Sequence, residues 1–367
     1  MIKTATKDLS AGMVTAEPVY SKTGQLLFPA NTILTSQQIT YLEFYGVESI
    51  KIIPEQDIND ASLDTGASAL EAEQETYAQK VKKSRKFHEF KVDYNKKATM
   101  LKDCYQQLID KKEPLDSDAL LDQVSSLYSN HLTSLSVFDM LHNMRQIDDT
   151  TYAHCINVAI ISRMMGEWLN ITGEDLEDLT LAGLLHDIGK CLVDPELLNK
   201  PSLTDEEFRY VKEHPNLGLK ILTDSNSQID KRIRSAVLMH HERCDGSGYP
   251  SGRKGDTITD FAKIVAIADV YDAMTSKRCY RKGICPFEVI ATFERKGFER
   301  YETKYLLPFL HHIIDTYIGN SVLLNDGSTG KIIMINRQFL SRPVVSTAAV
   351  TYLDLSKHFE LYIQAII

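Results

Sequence analysis

Apolar residues recur at three- to four-residue intervals along most of the chain, and this spacing predicts a mainly helical protein. Eight such segments lie between residues 114 and 318. They are Leu115–Ser129, Val137–Met144, Ala153–Leu169, Leu176–Ile188, Asp205–Leu222, Ile229–His240, Asp260–Ser276 and Phe287–Arg295. No alternating strands separate these segments, so a parallel α/β sheet is not expected.

Both ends of the chain have the patterning of short β-strands instead. Near the N-terminus the predicted strands are Met13–Tyr20, Leu26–Phe28 and Glu48–Ile53, with a short capped helix predicted between Thr35 and Gly46. Near the C-terminus they are Val322–Leu324, Gly330–Asn336, Pro343–Val350 and Leu361–Ile367, with a hairpin turn at Asn325-Asp326-Gly327. Small β-rich units are therefore expected to flank the helices.

These changes of pattern predict four consecutive parts of the chain. Residues 1–53 form a small α+β unit, and residues 54–113 form a linker followed by a charged helix. Residues 114–318 form the helical domain, and residues 319–367 form a small β-rich unit. The charged helix could pair with a copy of itself in a homodimer, although a solvated helix face is the simpler interpretation.

Composition and charge narrow the class of protein. The chain has 367 residues and a net charge of −9, which argues against DNA or RNA as a partner because nucleic-acid binding requires clustered cations. Its six cysteines include no Cys-x-x-Cys pair, as expected of reduced thiols rather than disulfides. No apolar run approaches the roughly 20 residues that cross a bilayer. A cytoplasmic protein with no transmembrane segment is therefore expected.

The first candidate chemistry is the pair His186-Asp187. It ends an apolar segment, where a buried carboxylate is costly unless a cation compensates it. An imidazole and a carboxylate at a helix end could bind a divalent cation together, although a surface turn closed by Gly189 is the alternative interpretation. Lys190 lies three residues after Asp187, on the same helical face, and could contact a phosphate.

A second pair, His240-His241, ends another amphipathic segment. Neighbouring residues on a helix diverge by about 100°, so both histidines can bind one metal only where the helix ends. The glycines and proline that follow predict a rigid loop, which could present Tyr249 to a planar base.

Other polar residues interrupt apolar helical faces. Asp269 and Asp272 share one face and would repel each other unless a cation or a donor lies between them. His154 and His214 interrupt apolar surfaces in the same way, although hydrogen-bonded histidines without a metal are the alternative.

Taken in order, these motifs resemble those of the HD-GYP domain over roughly residues 130–318. They are His154, His186-Asp187-x-Gly189-Lys190, His214-Pro215, His240-His241-Glu242-Arg243-x-Asp245-Gly246-x-Gly248-Tyr249-Pro250 and Ala268-Asp269-x-Tyr271-Asp272-Ala273-Met274-Thr275. The resemblance implies an all-helical HD-type metal phosphohydrolase domain in a bacterial protein. It also implies hydrolysis of cyclic di-GMP to linear pGpG, with a further step to GMP left open.

The resemblance further implies a division of the metal ligands. His154, His186, Asp187 and Asp269 would hold one divalent ion, while Asp187, His214, His240 and His241 would hold the other. Asp187 would bridge the two ions, and a hydroxide shared by them would be the nucleophile. Mixed imidazole and carboxylate ligands favour iron or manganese, with zinc or nickel as alternatives.

The same resemblance assigns the remaining contacts. Lys190 would neutralise a phosphate and assist Asp187 in catalysis, and Tyr249, Arg278 and Arg281 would contact phosphate or guanine. Asp245 and Asp272 would support the ligands without binding metal. Some HD-GYP members carry a glutamate one helical turn before the first histidine, where it helps to hold a third metal. This chain has Thr150 there, so two metals are expected.

Two other functions stay open at this stage. The domain could be an HD-type phosphohydrolase that acts on another cyclic dinucleotide or on a nucleotide monoester. It could also be a receptor that binds cyclic di-GMP without hydrolysing it, although the complete ligand set speaks against a receptor.

Overall fold

The computed structural model places helices through most of the described chain. The residues it describes are 2–10, 12–20, 26–28, 32, 34, 39, 42, 47, 49–54, 81–112, 114–129, 134–144, 151–225, 228–277, 283–348 and 352–367. They divide into two compact units, Met1–Glu73 and Gln74–Ile367. The prediction of a mainly helical chain with a small antiparallel sheet near each end is confirmed.

The helices of the larger unit are numbered along the chain. They are α1 (Arg85–Lys111), α2 (Ser117–Ser129), α3 (Ser134–Met144), α4 (Thr151–Trp168), α5 (Glu174–Leu185), α6 (Pro195–Leu198), α7 (Asp205–Val211), α8 (His214–Asp224), α9 (Lys231–Met239), α10 (Asp260–Thr275), α11 (Pro286–Arg300) and α12 (Thr303–Asp315). Among the described residues, none of these helices has the length and apolarity needed to cross a membrane.

The smaller unit contains short strands around its own core. The strands are β1 (Ile2–Ala5), β2 (Val14–Thr15), β3 (Val19–Tyr20), β4 (Leu26–Phe28) and β5 (Ser49–Ile53). β5 pairs antiparallel with both β1 and β2, while β3 pairs with β4. The helix predicted between Thr35 and Gly46 and the predicted linker lie largely outside the described residues.

Helices α4, α5, α9 and α10 form the centre of the larger unit. α4 and α10 are buried along nearly their whole length, which explains their apolar composition. Gly183 lets α5 approach α4 closely, because a Cβ there would lie 2.7 Å from the Ala159 Cα. The polar residues on these helices therefore project from rigid, tightly packed elements.

Two predicted helices end differently in the structure. The prediction of one helix over Asp205–Leu222 is wrong, because the chain breaks at Lys212-Glu213 and restarts as α8 at His214. Pro215 suits the first turn of a helix, where its missing N–H leaves no bond unmade, but not a helix interior. The segment predicted to run to Ile188 ends at Leu185, and a 3₁₀ turn covers Ile188–Leu192.

The C-terminal sheet belongs to the same compact unit as the helices. Its strands are β6 (Ser321–Leu324), β7 (Thr329–Met334), β8 (Val344–Thr347), β9 (Leu353–Asp354) and β10 (Ile363–Ile366), in the antiparallel order β10-β6-β7-β8-β9. Glu294 of α11 accepts a hydrogen bond from the Leu340 backbone N–H at 2.6 Å. The boundaries proposed at residues 113/114 and 318/319 stay predictions.

We predict that Tyr94→Phe destabilises the larger unit by about 1–3 kcal/mol, because it removes the hydroxyl donor from the buried Asn157 side chain on α4. The Tyr94 hydroxyl is buried within hydrogen-bond distance of the Ala153 carbonyl (2.8 Å) and the Asn157 Oδ1 (2.7 Å). Denaturant-induced unfolding measures the effect. Tyr362→Phe is the matched control, since that ring is 56% exposed. Equal stability of both variants would contradict the packing of α1 on α4.

Candidate metal centre

Seven side chains meet where several helices of the larger unit end or cross. α4 carries His154, α10 carries Asp269, and the residues directly after α5 are His186 and Asp187. His214 is the first residue of α8, and His240-His241 follow α9. Asp187, His186 and His240 have no exposed surface. The structure therefore brings together all seven residues that the sequence predicted as metal ligands.

The seven residues separate into two groups. Asp187, His214, His240 and His241 form one, and His154, His186 and Asp269 form the other. Within each group, one ligand atom per residue lies within 4.8 Å of the others. This is the same division that the HD-GYP resemblance implies, apart from Asp187, which is counted with one group only.

The Asp187 carboxylate faces both groups. Its Oδ1 lies 3.3 Å from His214 Nε2 and 3.6 Å from His240 Nε2. Its Oδ2 lies 3.3 Å from His186 Nε2 and 3.7 Å from His154 Nε2. A carboxylate that presents one oxygen to each group has the geometry of a bridging ligand.

Backbone carbonyls set the orientation of three imidazoles. His186 Nδ1 lies 2.8 Å from the Gly183 carbonyl, and the same distance joins His214 Nδ1 to Val211 and His240 Nδ1 to Val237. Each acceptor lies three residues before its histidine, so a helix-end carbonyl receives the Nδ1 proton. That tautomer leaves the Nε2 lone pair directed at Asp187, as metal binding requires.

His154 uses a carboxylate for the same purpose. Its Nδ1 lies 2.7 Å from Asp272 Oδ2, while its Nε2 lies 3.1 Å from Asp269 Oδ1. Burial alone would lower the pKa of His154, but Asp269 and Asp272 outweigh burial and raise it to about 9. His240, by contrast, is buried near His186 and His214, and its pKa falls to about 4 despite Asp187.

Two buried atoms at the centre support a cation there. His186 Nε2 and Asp187 Oδ1 have no hydrogen-bond partner within the described part of the chain. Buried polar atoms of this kind are rare in proteins unless water or an ion completes them. Imidazole nitrogens and carboxylate oxygens suit iron, manganese, zinc or nickel, so the residues fit two divalent ions.

Lys190 and Tyr249 border this centre. The Lys190 ammonium lies 2.6 Å from Asp187 Oδ2, in an i,i+3 pair. The Tyr249 ring stacks on His241, with centroids 4.5 Å apart and an interplanar angle of 29°. Burial is the main cause that raises the pKa of the Tyr249 hydroxyl far above its usual value, so that this phenol is neutral at physiological pH.

The other predicted residues differ in their positions. Asp272 contacts His154 directly, whereas Asp245 accepts from the Ser247 backbone N–H at 2.8 Å and lies near Arg300 at the edge of the loop. Arg278, Arg281 and Thr150 lie outside the described residues. The roles predicted for these three residues therefore stay predictions.

Two close backbone approaches at this centre were not expected from the sequence. A Cβ at Gly189 would lie 1.9 Å from the His214 carbonyl oxygen, so only glycine lets the two ligand-bearing turns touch. A Cβ at Gly248 would lie 2.4 Å from the Arg243 backbone nitrogen. Both glycines belong to the motifs noted in the sequence. Their contacts could not be predicted, because Gly189 meets a residue 25 positions away, at His214, and Gly248 meets Arg243 only when the loop folds back.

Glu242 was also not singled out. Its side chain is buried, and its two oxygens accept from the backbone N–H groups of Ser251 (2.8 Å) and Arg253 (2.9 Å). The sequence feature that could have identified Glu242 is its position directly after two predicted metal-binding histidines. It holds the two ends of the Tyr249 loop together.

The chain matches the family model described as "HD domain" over residues 121–304. It is 34% identical to the cyclic di-GMP phosphodiesterase PA4108 of Pseudomonas aeruginosa over 228 residues, 62% of this chain and 54% of that protein. It is 31% identical to the 3'3'-cGAMP-specific phosphodiesterase 2 of Vibrio cholerae over 146 residues, 40% of this chain and 28% of that protein. The chain thus spans about half or less of the length of these relatives.

A solved structure shares the fold. It is Bd1817, an HDG"Y"P protein from Bdellovibrio bacteriovorus, with a TM-score of 0.50 and 15% identity. The match covers 85% of this chain and 99% of that one.

We predict that Mn²⁺ binding to the His154 group releases about one proton at pH 7, because a histidine with a pKa of about 9 must lose its proton to bind metal. Affinity should rise with pH and level off above about 9. His240 contributes no proton at pH 7, since its pKa is about 4. Titration calorimetry in buffers of different ionisation enthalpy measures the release.

Asp272→Asn is the informative variant for this prediction. It removes a carboxylate that raises the pKa of His154, so proton release at pH 7 should fall. Metal binding by the unmodified protein without any proton release would contradict a charged His154.

Proposed function

The chain belongs to the HD domain family, and from that premise we propose that it is a metal-dependent cyclic dinucleotide phosphodiesterase. The observation that carries the proposal is the Asp187 carboxylate, which presents one oxygen to each of two histidine groups. Two divalent ions held there would supply Lewis acidity and an activated water for attack on a phosphodiester. The His154 and His214 groups are the proposed ligands of those ions.

The residues of the chain would act by position and charge. Carbonyl acceptors fix three imidazoles, so little reorganisation would accompany the reaction. Asp187 and Asp269 would offset part of the charge of two divalent ions, and the remaining positive charge would suit an anionic phosphodiester. Lys190 can exchange its contact with Asp187 for a phosphate oxygen of the substrate and neutralise it. Asp187 and Lys190 are therefore the proposed catalytic pair.

We propose cyclic di-GMP as the substrate, cleaved to linear pGpG and onward to GMP if the linear product is bound again. The longer of the two reported matches supports this choice, since that relative is named for cyclic di-GMP. Tyr249, beside His241, would contact guanine or phosphate, and so would Arg278 and Arg281. Iron or manganese is the proposed metal.

A second substrate has its own support. A relative at 31% identity is named as specific for 3'3'-cGAMP, which differs from cyclic di-GMP in one base. Faster turnover of 3'3'-cGAMP than of cyclic di-GMP by the metal-loaded protein would assign the chain to that substrate. Tight binding of either nucleotide at full metal occupancy, with no hydrolysis, would instead make it a receptor.

We predict that Asp187→Asn lowers cyclic di-GMP turnover by at least about a thousandfold, because it removes the ligand shared by both metals. Turnover is followed by chromatography of pGpG and GMP with Mn²⁺ or Fe²⁺ added under anaerobic conditions, and metal content is measured on the same samples. Asp326→Asn is the matched control, since that carboxylate caps an exposed hairpin turn. Full activity of Asp187→Asn with two bound metals would overturn the bridging role.

A further inference from the structure

We propose that Lys212 forms a subsite for the second phosphate of a cyclic dinucleotide, the one that is not cleaved. This inference rests on the proposed function and adds to it a residue that binds substrate beyond the metal centre. Lys212 lies in the break between α7 and α8, two residues before the candidate ligand His214.

The Lys212 ammonium is held between two aromatic rings. It lies 4.5 Å from the centroid of Phe208 and 5.3 Å from the centroid of Tyr249. Phe208 is 45% exposed and Lys212 is half-buried, so this group of side chains borders solvent. Two rings hold the cation in place by cation–π attraction without neutralising its charge.

The position of Tyr249 connects Lys212 with the metal centre. The Tyr249 ring stacks on His241 at 4.5 Å and lies 6.3 Å from the His214 ring. These contacts keep the Lys212 ammonium within about 10 Å of the His241 ring. A ligand that extends from the metals along Tyr249 therefore reaches Lys212.

The absence of an ion-pair partner in the described part of the chain distinguishes Lys212 from Lys190. Lys190 is paired with Asp187, whereas no carboxylate of the described residues lies within ion-pair distance of Lys212. An ammonium with no anionic partner can accept a phosphate without first breaking an ion pair. The chemistry that fits is a phosphate oxygen placed beside the Tyr249 ring.

The proposed substrate has a second phosphodiester that a cation such as Lys212 could bind. A cyclic dinucleotide carries two phosphodiesters on opposite sides of one ring. When one lies at the metals beside Lys190, the other lies away from them and needs its own counter-charge. Lys212 would supply that charge beside the Tyr249 ring.

Steady-state kinetics of Lys212→Met tests the proposal. Methionine keeps an apolar chain between the rings and removes only the charge. We expect the KM for cyclic di-GMP to rise about 10- to 100-fold with kcat changed less than about threefold. Bis(p-nitrophenyl) phosphate has a single phosphate, so its hydrolysis should be unchanged. Lys212→Arg should restore the KM to within a few-fold.

The controls separate the alternatives. Lys220→Met removes the same charge from an exposed position on α8 and should leave both substrates unaffected. A parallel loss with both substrates in Lys212→Met would overturn the subsite and show that Lys212 only supports the Tyr249 loop. An unchanged KM for cyclic di-GMP would also overturn it. Failure of the unmodified, metal-loaded protein to cleave any cyclic dinucleotide would overturn the proposed function and the subsite with it.

Discussion

The complete burial of the Asp187 carboxylate is the constraint on which the site depends. Removing a carboxylate from water costs several kcal/mol unless opposite charge and donors replace the lost hydration. Here the Lys190 ammonium and the neighbouring imidazoles hold the pKa of Asp187 well below its usual value, against the effect of burial. Every one of these groups must keep its position for the folded state to tolerate the charge. This requirement is consistent with the close packing of the turn after Asp187 against the start of α8, where a Cβ at Gly189 would lie 1.9 Å from the His214 carbonyl oxygen.

Helix ends are the common means of meeting this constraint. His186 and His240 follow the last residues of α5 and α9, and His214 begins α8 while its Nδ1 lies near a carbonyl at the end of α7. Each imidazole satisfies a carbonyl that the helix leaves without a partner, and the same bond aims its other nitrogen inward. Thus one contact both completes a helix and orients a candidate ligand. His154, inside a helix, has no such carbonyl and is oriented by Asp272 instead.

The sequence predicted the helical fold and the terminal sheets, and the HD-GYP resemblance implied the seven candidate ligands that the structure brings together. The pairs His186-Asp187 and His240-His241 could also be recognised as candidates from the pattern alone, because they end apolar helical segments, where polar groups are costly to bury without partners. The prediction from sequence failed at the break before His214, since Phe208 and Val211 before the break and Leu222 after it would share one face of an unbroken helix. It also missed Glu242, because the backbone N–H groups of Ser251 and Arg253 become its partners only when the loop folds back. Contacts that form only when a loop folds back on itself produce no periodic pattern of apolar residues in the sequence.

The two histidine groups are chemically unequal even though they share Asp187. Asp269 and Asp272 surround His154 with negative charge, so its proton is held tightly, and metal and proton compete there. His240 and His241 lie among other imidazoles in a buried setting, and both have lowered pKa values. Both imidazoles are therefore neutral at neutral pH, so a cation that binds the unprotonated nitrogen of either ring displaces no proton. The distribution of carboxylates between α10 and the rest of the centre thus determines how strongly each group discriminates between a proton and a metal ion.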